Sequence, residues 1–143
     1  MRLFVYSRDV SFEQRLSEAS PVFSEVVTTS GSYSSSVTVT EFVSSFCAAS
    51  LAVLDFRVPD TEVCWLAGLA LGVGIPFLVL ANADDSAESR FPFLSLCVSV
   101  FDDLDSIISA TSSMGLAIKD GLISGAEMSA ELHADFVRRR LRA

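Results

Sequence analysis

Residues 51–82 read LAVLDFRVPDTEVCWLAGLALGVGIPFLVLAN, and this stretch decides the fold. Residues 51–56 form an apolar run that carries Asp55 at its end, the pattern of a buried parallel strand. Asp60 or Thr61 then caps a helix that reaches about Val73. Gly74-Ile75-Pro76 reads as the turn that stops it. Residues 76–80 follow as a second buried strand. Strand, helix and strand in this order make one crossover unit of a parallel sheet.

Working outward, the same alternation recurs on both sides. Residues 3–6 are a short apolar strand, followed by the loop Ser7-Arg8-Asp9. Ser11 is placed to cap a helix through about Ser20 in which Phe12, Leu16 and Ala19 share a face, and Pro21 ends it. Residues 23–29 have strand character, and 31–36, GSYSSS, form a loop of small hydroxyl residues. Thr40-Glu41 opens a helix that aligns Phe42, Phe46 and Ala49. Beyond the central unit, 83–90 is a polar loop and 94–101 a fifth strand. Asp102 and Asp103 suit the start of a helix to about Ala117, before a turn at Lys119-Asp120-Gly121. Residues 126–142 read as a terminal helix with Leu132, Phe136 and Leu141 apolar. No internal repeat appears.

The expectation is therefore α/β: a single domain over residues 1–143, flavodoxin-like, with a five-stranded parallel sheet in the order 2-1-3-4-5 and helices on both faces. Such sheets bind ligands at the carboxyl ends of the strands, beside the order reversal. That puts Ser7-Arg8-Asp9 and residues 55–60 in one crevice.

Composition narrows the function classes. Half of the residues are hydrophobic and a fifth charged, which excludes a disordered chain. The net charge of −8 and the single lysine, Lys119, argue against nonspecific nucleic-acid binding. Arg138, Arg139, Arg140 and Arg142 form the one basic cluster. It either complements the dipole of a last helical turn or contacts a phosphate or an acidic partner. Cys47, Cys64 and Cys97 show no CxxC spacing and read as buried reduced thiols of a cytoplasmic protein, with no metal site. His133 reads as a surface helix residue. Residues 63–81 carry no charge over 19 positions, close to a spanning length. Gly68, Gly72, Gly74 and Pro76 interrupt the run and no basic flank orients it, so no membrane span is expected. No secretory signal is visible, because charges follow residues 1–6 at once.

The segment resembles the core of the nucleoside 2-deoxyribosyltransferase family and of related nucleotide N-glycosidases. Asp55 matches that family's strand-end Asp, Asp60 the loop Asp, Gly68 and Ala70 the small pair, and Gly74 and Pro76 the closing turn. Leu66 stands where the family places its nucleophilic Glu. Leucine offers no charge, lone pair or proton, so the standard glycosyl-transfer chemistry is expected to be absent. Glu62, one turn earlier, is either a substitute carboxylate or a first-turn acid favourable to the helix dipole. Asp60 also has two readings, contact with the nucleoside, which the resemblance implies, or a helix cap. Asp55 at the end of a buried strand must be paired or open to the crevice.

Further binding candidates follow from the resemblance. Arg8, beside Ser7, is similar in place to a phosphate-clamping arginine, and Trp65 is either core or a base-stacking ring. Phe4-Val5-Tyr6-Ser7-Arg8-Asp9 and the Cys64-Trp65 pair also resemble TIR domains, again without the Glu. The resemblance implies a pseudoenzyme that binds a nucleoside or nucleotide, with no cofactor, in a homo-oligomer. Its alternatives are an active N-glycosidase or transferase using Glu62 or Asp60, and a non-catalytic structural or interaction subunit.

Overall fold

The computed structural model describes residues 1–29, 38–58, 60–82 and 100–122. Five parallel strands run in the order β2-β1-β3-β4-β5. They are β1 (Arg2–Tyr6), β2 (Glu25–Thr28), β3 (Leu51–Asp55), β4 (Phe77–Leu80) and β5 (Val100–Phe101). Among the described residues the helices are α1 (Val10–Glu18), α2 (Val39–Cys47), α3 (Thr61–Val73) and α4 (Leu104–Lys119). The expected flavodoxin-like architecture and strand order are both present. The GSYSSS loop, the polar loop at 83–90, the first part of the fifth strand, Cys97 and the terminal helix at 126–142 lie outside the described residues.

Strand alternation sorts the core onto two faces. Phe4, Leu54, Phe77 and Val79 pack with Phe46 of α2 and with Val63, Leu66, Ala67 and Ala70 of α3. Leu3, Val5, Val53, Leu78 and Leu80 pack with Phe12 and Leu16 of α1 and Ile107 of α4. All five residues of β3 are buried, as a central strand covered on both sides requires. Phe4 meets Phe46 edge-on at 5.0 Å between ring centroids, an arrangement favoured by the ring quadrupoles.

The helix ends correct the sequence reading by a residue or two. Asp9, not Ser11, caps α1 by accepting from the Phe12 N–H. Thr38 opens α2 with a reciprocal capping box to Glu41, two residues before the expected start. Asp60 caps α3 and Asp103 caps α4. Gly74 closes α3 at φ 82°, a left-handed conformation that costs glycine nothing. The charge-free run at 63–81 is divided between α3, this turn and β4, and no described helix is long and apolar enough to cross a membrane. The thiols are less uniform than expected: Cys47 is exposed and Cys64 half-buried, both free.

Gly115 fixes how closely α4 approaches the turn before β2. A Cβ there would lie 2.7 Å from the Phe23 ring and 2.7 Å from a Val22 methyl. Phe23 is 6% exposed and belongs to the buried cluster on this face. Gly115→Ala is expected to destabilise the fold by about 1–3 kcal/mol through overpacking, although alanine is the better helix former. Urea unfolding reads this directly, and a neutral or positive change would show that the turn yields.

Candidate functional site

The carboxyl ends of β1, β3 and β4 frame a crevice of about 390 Å3 lined by Tyr6, Arg8, Asp9, Asp55, Arg57, Val58 and Asn82. The register Tyr6↔Leu54 sets the next two residues, Ser7 and Asp55, side by side. Two polar clusters occupy this rim.

The first is built on Asp55, whose side chain is 8% exposed. Arg57 grips it as a fork, Nε donating to Oδ1 at 3.0 Å and Nη2 to Oδ2 at 2.7 Å. The Arg57 backbone N–H donates to Oδ1 at 3.0 Å and the Ser7 hydroxyl to Oδ2 at 2.7 Å. A carboxylate offers about four lone-pair sites, and four donors from this chain fill them. Arg57 Nη2 also donates to Asp9 Oδ2 at 3.1 Å, and its guanidinium lies 5.5 Å from the centre of the Phe12 ring. Hydrogen bonding to Asp55, opposed by burial and helped by Asp9, holds the Arg57 charge more firmly than usual. The Phe12 N–H and then Arg57, against some desolvation, hold Asp9 below the ordinary carboxylate range. Asn82 donates to the Arg57 carbonyl at 3.1 Å and ties the β4 end to this loop.

The second cluster centres on Tyr6. Its hydroxyl lies 2.9 Å from Asp60 Oδ2 and 2.8 Å from Glu62 Oε2, and its single proton serves one of them at a time. Arg8 Nη2 donates to Asp60 Oδ2 at 2.8 Å, although the Arg8 side chain is mostly exposed. Asp60 Oδ1 takes the Val63 N–H at 2.8 Å, the capping bond of α3. Burial pushes the Asp60 carboxyl up, but the Val63 N–H, Tyr6 and Arg8 outweigh it and leave it lowered. Burial, then the bonds to Glu62 and Asp60, push the Tyr6 hydroxyl far above its ordinary value.

These shifts set a pH profile. Asp9 and Asp60 are lowered, so their contribution is present above about pH 4 and is lost as the pH falls through their folded values. Tyr6 is raised, so its contribution is full below about pH 10 and is lost as the pH rises further. Melting temperature against pH should be flat from about pH 4 to about pH 9, where the Cys64 thiol, pushed up by burial, also begins to cost stability. Absorbance titration should show Tyr6 ionising only as the protein unfolds in alkali. Ionisation of Tyr6 near pH 10 in the folded protein would contradict the packing described.

The sequence-predicted residues are thus partly assembled. Arg8 and Asp55 line the crevice, and Ser7 and Asp60 adjoin them through hydrogen bonds. Trp65 does not line it; the ring is on α3 and 48% exposed. Glu62 is exposed in the first turn of α3, whereas Leu66 is fully buried in the core. The two lie one turn apart on α3 but in different surroundings, because the helix passes from the rim into the core over that turn. Arg57, the residue that organises the site, was not among the candidates. Its spacing two residues after Asp55 is the one local signal that could have raised it. No group of three metal-ligating side chains occurs among the described residues.

Fold and site define a flavodoxin-like α/β domain whose strand-end carboxylates are paired internally. No family model matches the chain, and no curated protein matches it. A response regulator from Colwellia psychrerythraea has a similar structure, with a TM-score of 0.51 and 15% identity over 80% of this chain and 95% of that one. The likeness shows the fold.

These findings overturn the resemblance to nucleoside 2-deoxyribosyltransferases, with its TIR runner-up, and the nucleoside-binding function drawn from it. The physical reason is that the matching residues serve the fold. Asp60 caps a helix, Gly74 ends it and Pro76 leads into β4. Leu66 fills the core rather than vacating a nucleophile's place. Each feature recurs wherever a helix lies on a parallel sheet.

Proposed function

We propose that this chain is a non-catalytic domain that acts through contact with other proteins, a signalling module built on the response-regulator type of fold. The observation that carries the reading is the saturation of Asp55 by Arg57 and Ser7. A strand-end carboxylate attacks a phosphoryl or glycosyl centre only through a free oxygen lone pair. Here each lone pair already accepts a hydrogen bond from the chain itself. The cation that balances Asp9 and Asp55 is likewise built in, as Arg57.

The test is incubation with acetyl phosphate and magnesium, followed by intact mass and by the mass of the peptide containing Asp55. An unchanged mass is expected. A phosphoryl adduct on Asp55 overturns the non-catalytic reading. The homo-oligomer was implied only by the overturned family resemblance, and sedimentation equilibrium tests it. A monomer at every concentration removes a homo-oligomer from the proposal.

A further inference from the structure

The outward face of α3 is exposed although it is apolar. Val63, Leu66, Ala67 and Ala70 are buried against the sheet. The other side is one stripe: Glu62, Trp65, Gly68 and Gly72 follow at intervals of three and four residues, with Val73 beside the last. Trp65 is 48% and Val73 51% exposed. After Glu62 no charge interrupts the stripe. A helix that is hydrophobic all round is ordinarily covered all round. A Cβ on either glycine would meet nothing within 4 Å, and neither has positive φ, so the described fold does not require them. Bare backbone at two positions four apart lets a second helix pack at the short end of the usual interaxial distance of about 8–10 Å.

We infer that this face docks a basic amphipathic helix of another protein, with a lysine or arginine on Glu62 and apolar side chains on Trp65 and over the glycines. The inference rests on the reading of the chain as a protein-contact module and names the chemistry of its partner. Charge selects that chemistry. At the carboxyl edge of the sheet Asp9, Asp55, Asp60, Glu62, Asp102 and Asp103 outnumber Arg8 and Arg57. The amino edge is balanced, with Arg2, Lys119 and the terminal amine against Glu18, Glu25 and Asp120. Arg8 is already paired with Asp60, and Arg57 with Asp55 and Asp9. Glu62, at the head of the stripe, is left without a cation among the described residues. Its hydrogen-bond partner is the uncharged Tyr6 hydroxyl at 2.8 Å, which orients the carboxylate before any cation arrives.

A second copy of this chain is the poorer fit. Set antiparallel, two α3 helices bring Glu62 to the other helix's carboxyl end, which is partly negative and has no basic residue in its last turn. Set parallel, they bring Glu62 to Glu62. A nucleic-acid backbone or an anionic membrane meets the net charge of −8 and is repelled. A helix laid in an apolar seat, with charge fixing its register, meets none of these objections.

Trp65 is the single tryptophan and reports the contact directly. The experiment titrates the full-length protein with a tryptophan-free amphipathic peptide of leucine, alanine and lysine. Its length is about 14 residues, to match the roughly 20 Å of α3. A peptide with glutamate in place of each lysine is the control. The lysine peptide should shift Trp65 emission to the blue, saturably, and lower its quenching by acrylamide; the glutamate peptide should do neither. Glu62→Gln should weaken binding about two- to fivefold, the range of an exposed charge pair. About 1 M salt should weaken it as well, because the attraction is then screened beyond about 3 Å. Gly72→Leu should weaken it by about tenfold or more, since the new side chain holds the two helices apart. Glu18→Gln with Asp120→Asn removes two charges from the amino edge and should leave the affinity unchanged.

Equal binding of the two peptides, or binding of neither, overturns the inference. So does an affinity that the amino-edge pair lowers as much as Glu62→Gln, because attraction to the net charge then explains it. An affinity unchanged by Gly72→Leu, in a variant with native circular dichroism, puts the contact elsewhere and also overturns it. Emission that shifts with protein concentration alone assigns the face to a second copy, with the same consequence. None of these outcomes alters the acetyl phosphate result at Asp55, so the inference and the reading it rests on fail separately.

Discussion

Arg57→Ala should destabilise the protein by about 3 kcal/mol, more than any other charge deletion at the crevice. The loss comes less from the attraction removed than from what remains. Asp55 keeps its place at the end of β3, 8% exposed, with three of its four donors displaced or weakened. A buried carboxylate without its counter-ion pays a desolvation penalty that water outside the crevice does not repay. Asp9 loses a partner at the same time. Arg57→Lys should fall between the two, because an ammonium reaches one oxygen and cannot form the fork. The double variant Asp55→Asn with Arg57→Met should lose less than Arg57→Ala alone, since it strands no charge. Urea unfolding at pH 7 with unchanged m reads all three. Equal losses for the single and double variants would show that packing, not charge pairing, is Arg57's contribution.

Leu66→Glu, the substitution that would restore a transferase-like nucleophile, should instead unfold the chain. Leu66 is fully buried among Phe4, Leu54, Ala70 and Phe77. An ionised carboxylate there meets no donor in that apolar cluster, and the penalty exceeds about 4 kcal/mol, comparable to the whole stability of many domains. Burial would raise the pKa of the new group, so whatever stability remains should be present at low pH and lost as the pH rises. Leu66→Met should cost less than about 1.5 kcal/mol and Leu66→Ala about 2–5 kcal/mol, as ordinary core changes. A Leu66→Glu protein that melts normally at pH 7 would mean that the side chain has reached solvent, and the core position would need revision.

Leu66 shows how a motif can mislead. Its neighbours are spaced as a helix on a parallel sheet demands, and the transferase family shares that demand. Spacing alone could not separate a missing nucleophile from a core leucine. The distinction lies in which side of α3 faces the sheet, and α3 hides this because both of its sides are apolar. Elsewhere periodicity was decisive. The continuous buried runs at 3–6, 51–55 and 77–80 are legible because a covered parallel strand has no polar face to show. Asp60 and Gly74 could be read as helix ends from local chemistry. The cap of α1 was misplaced because Asp9 and Ser11 are both good caps two residues apart, and only the Phe12 N–H decides between them.

What the sequence by itself determined was the class: strands alternating with helices, a parallel sheet, and two loops brought to one rim. Those follow from side-chain period, caps and turn residues, which act over a few positions. What only the tertiary structure decided was the state of that rim. Arg57 bridges Asp55, two residues away, and Asp9, 48 residues away, and Tyr6 stands between Asp60 and Glu62. Which cation answers which carboxylate depends on distances across neighbouring strands, and no periodicity along the chain encodes them.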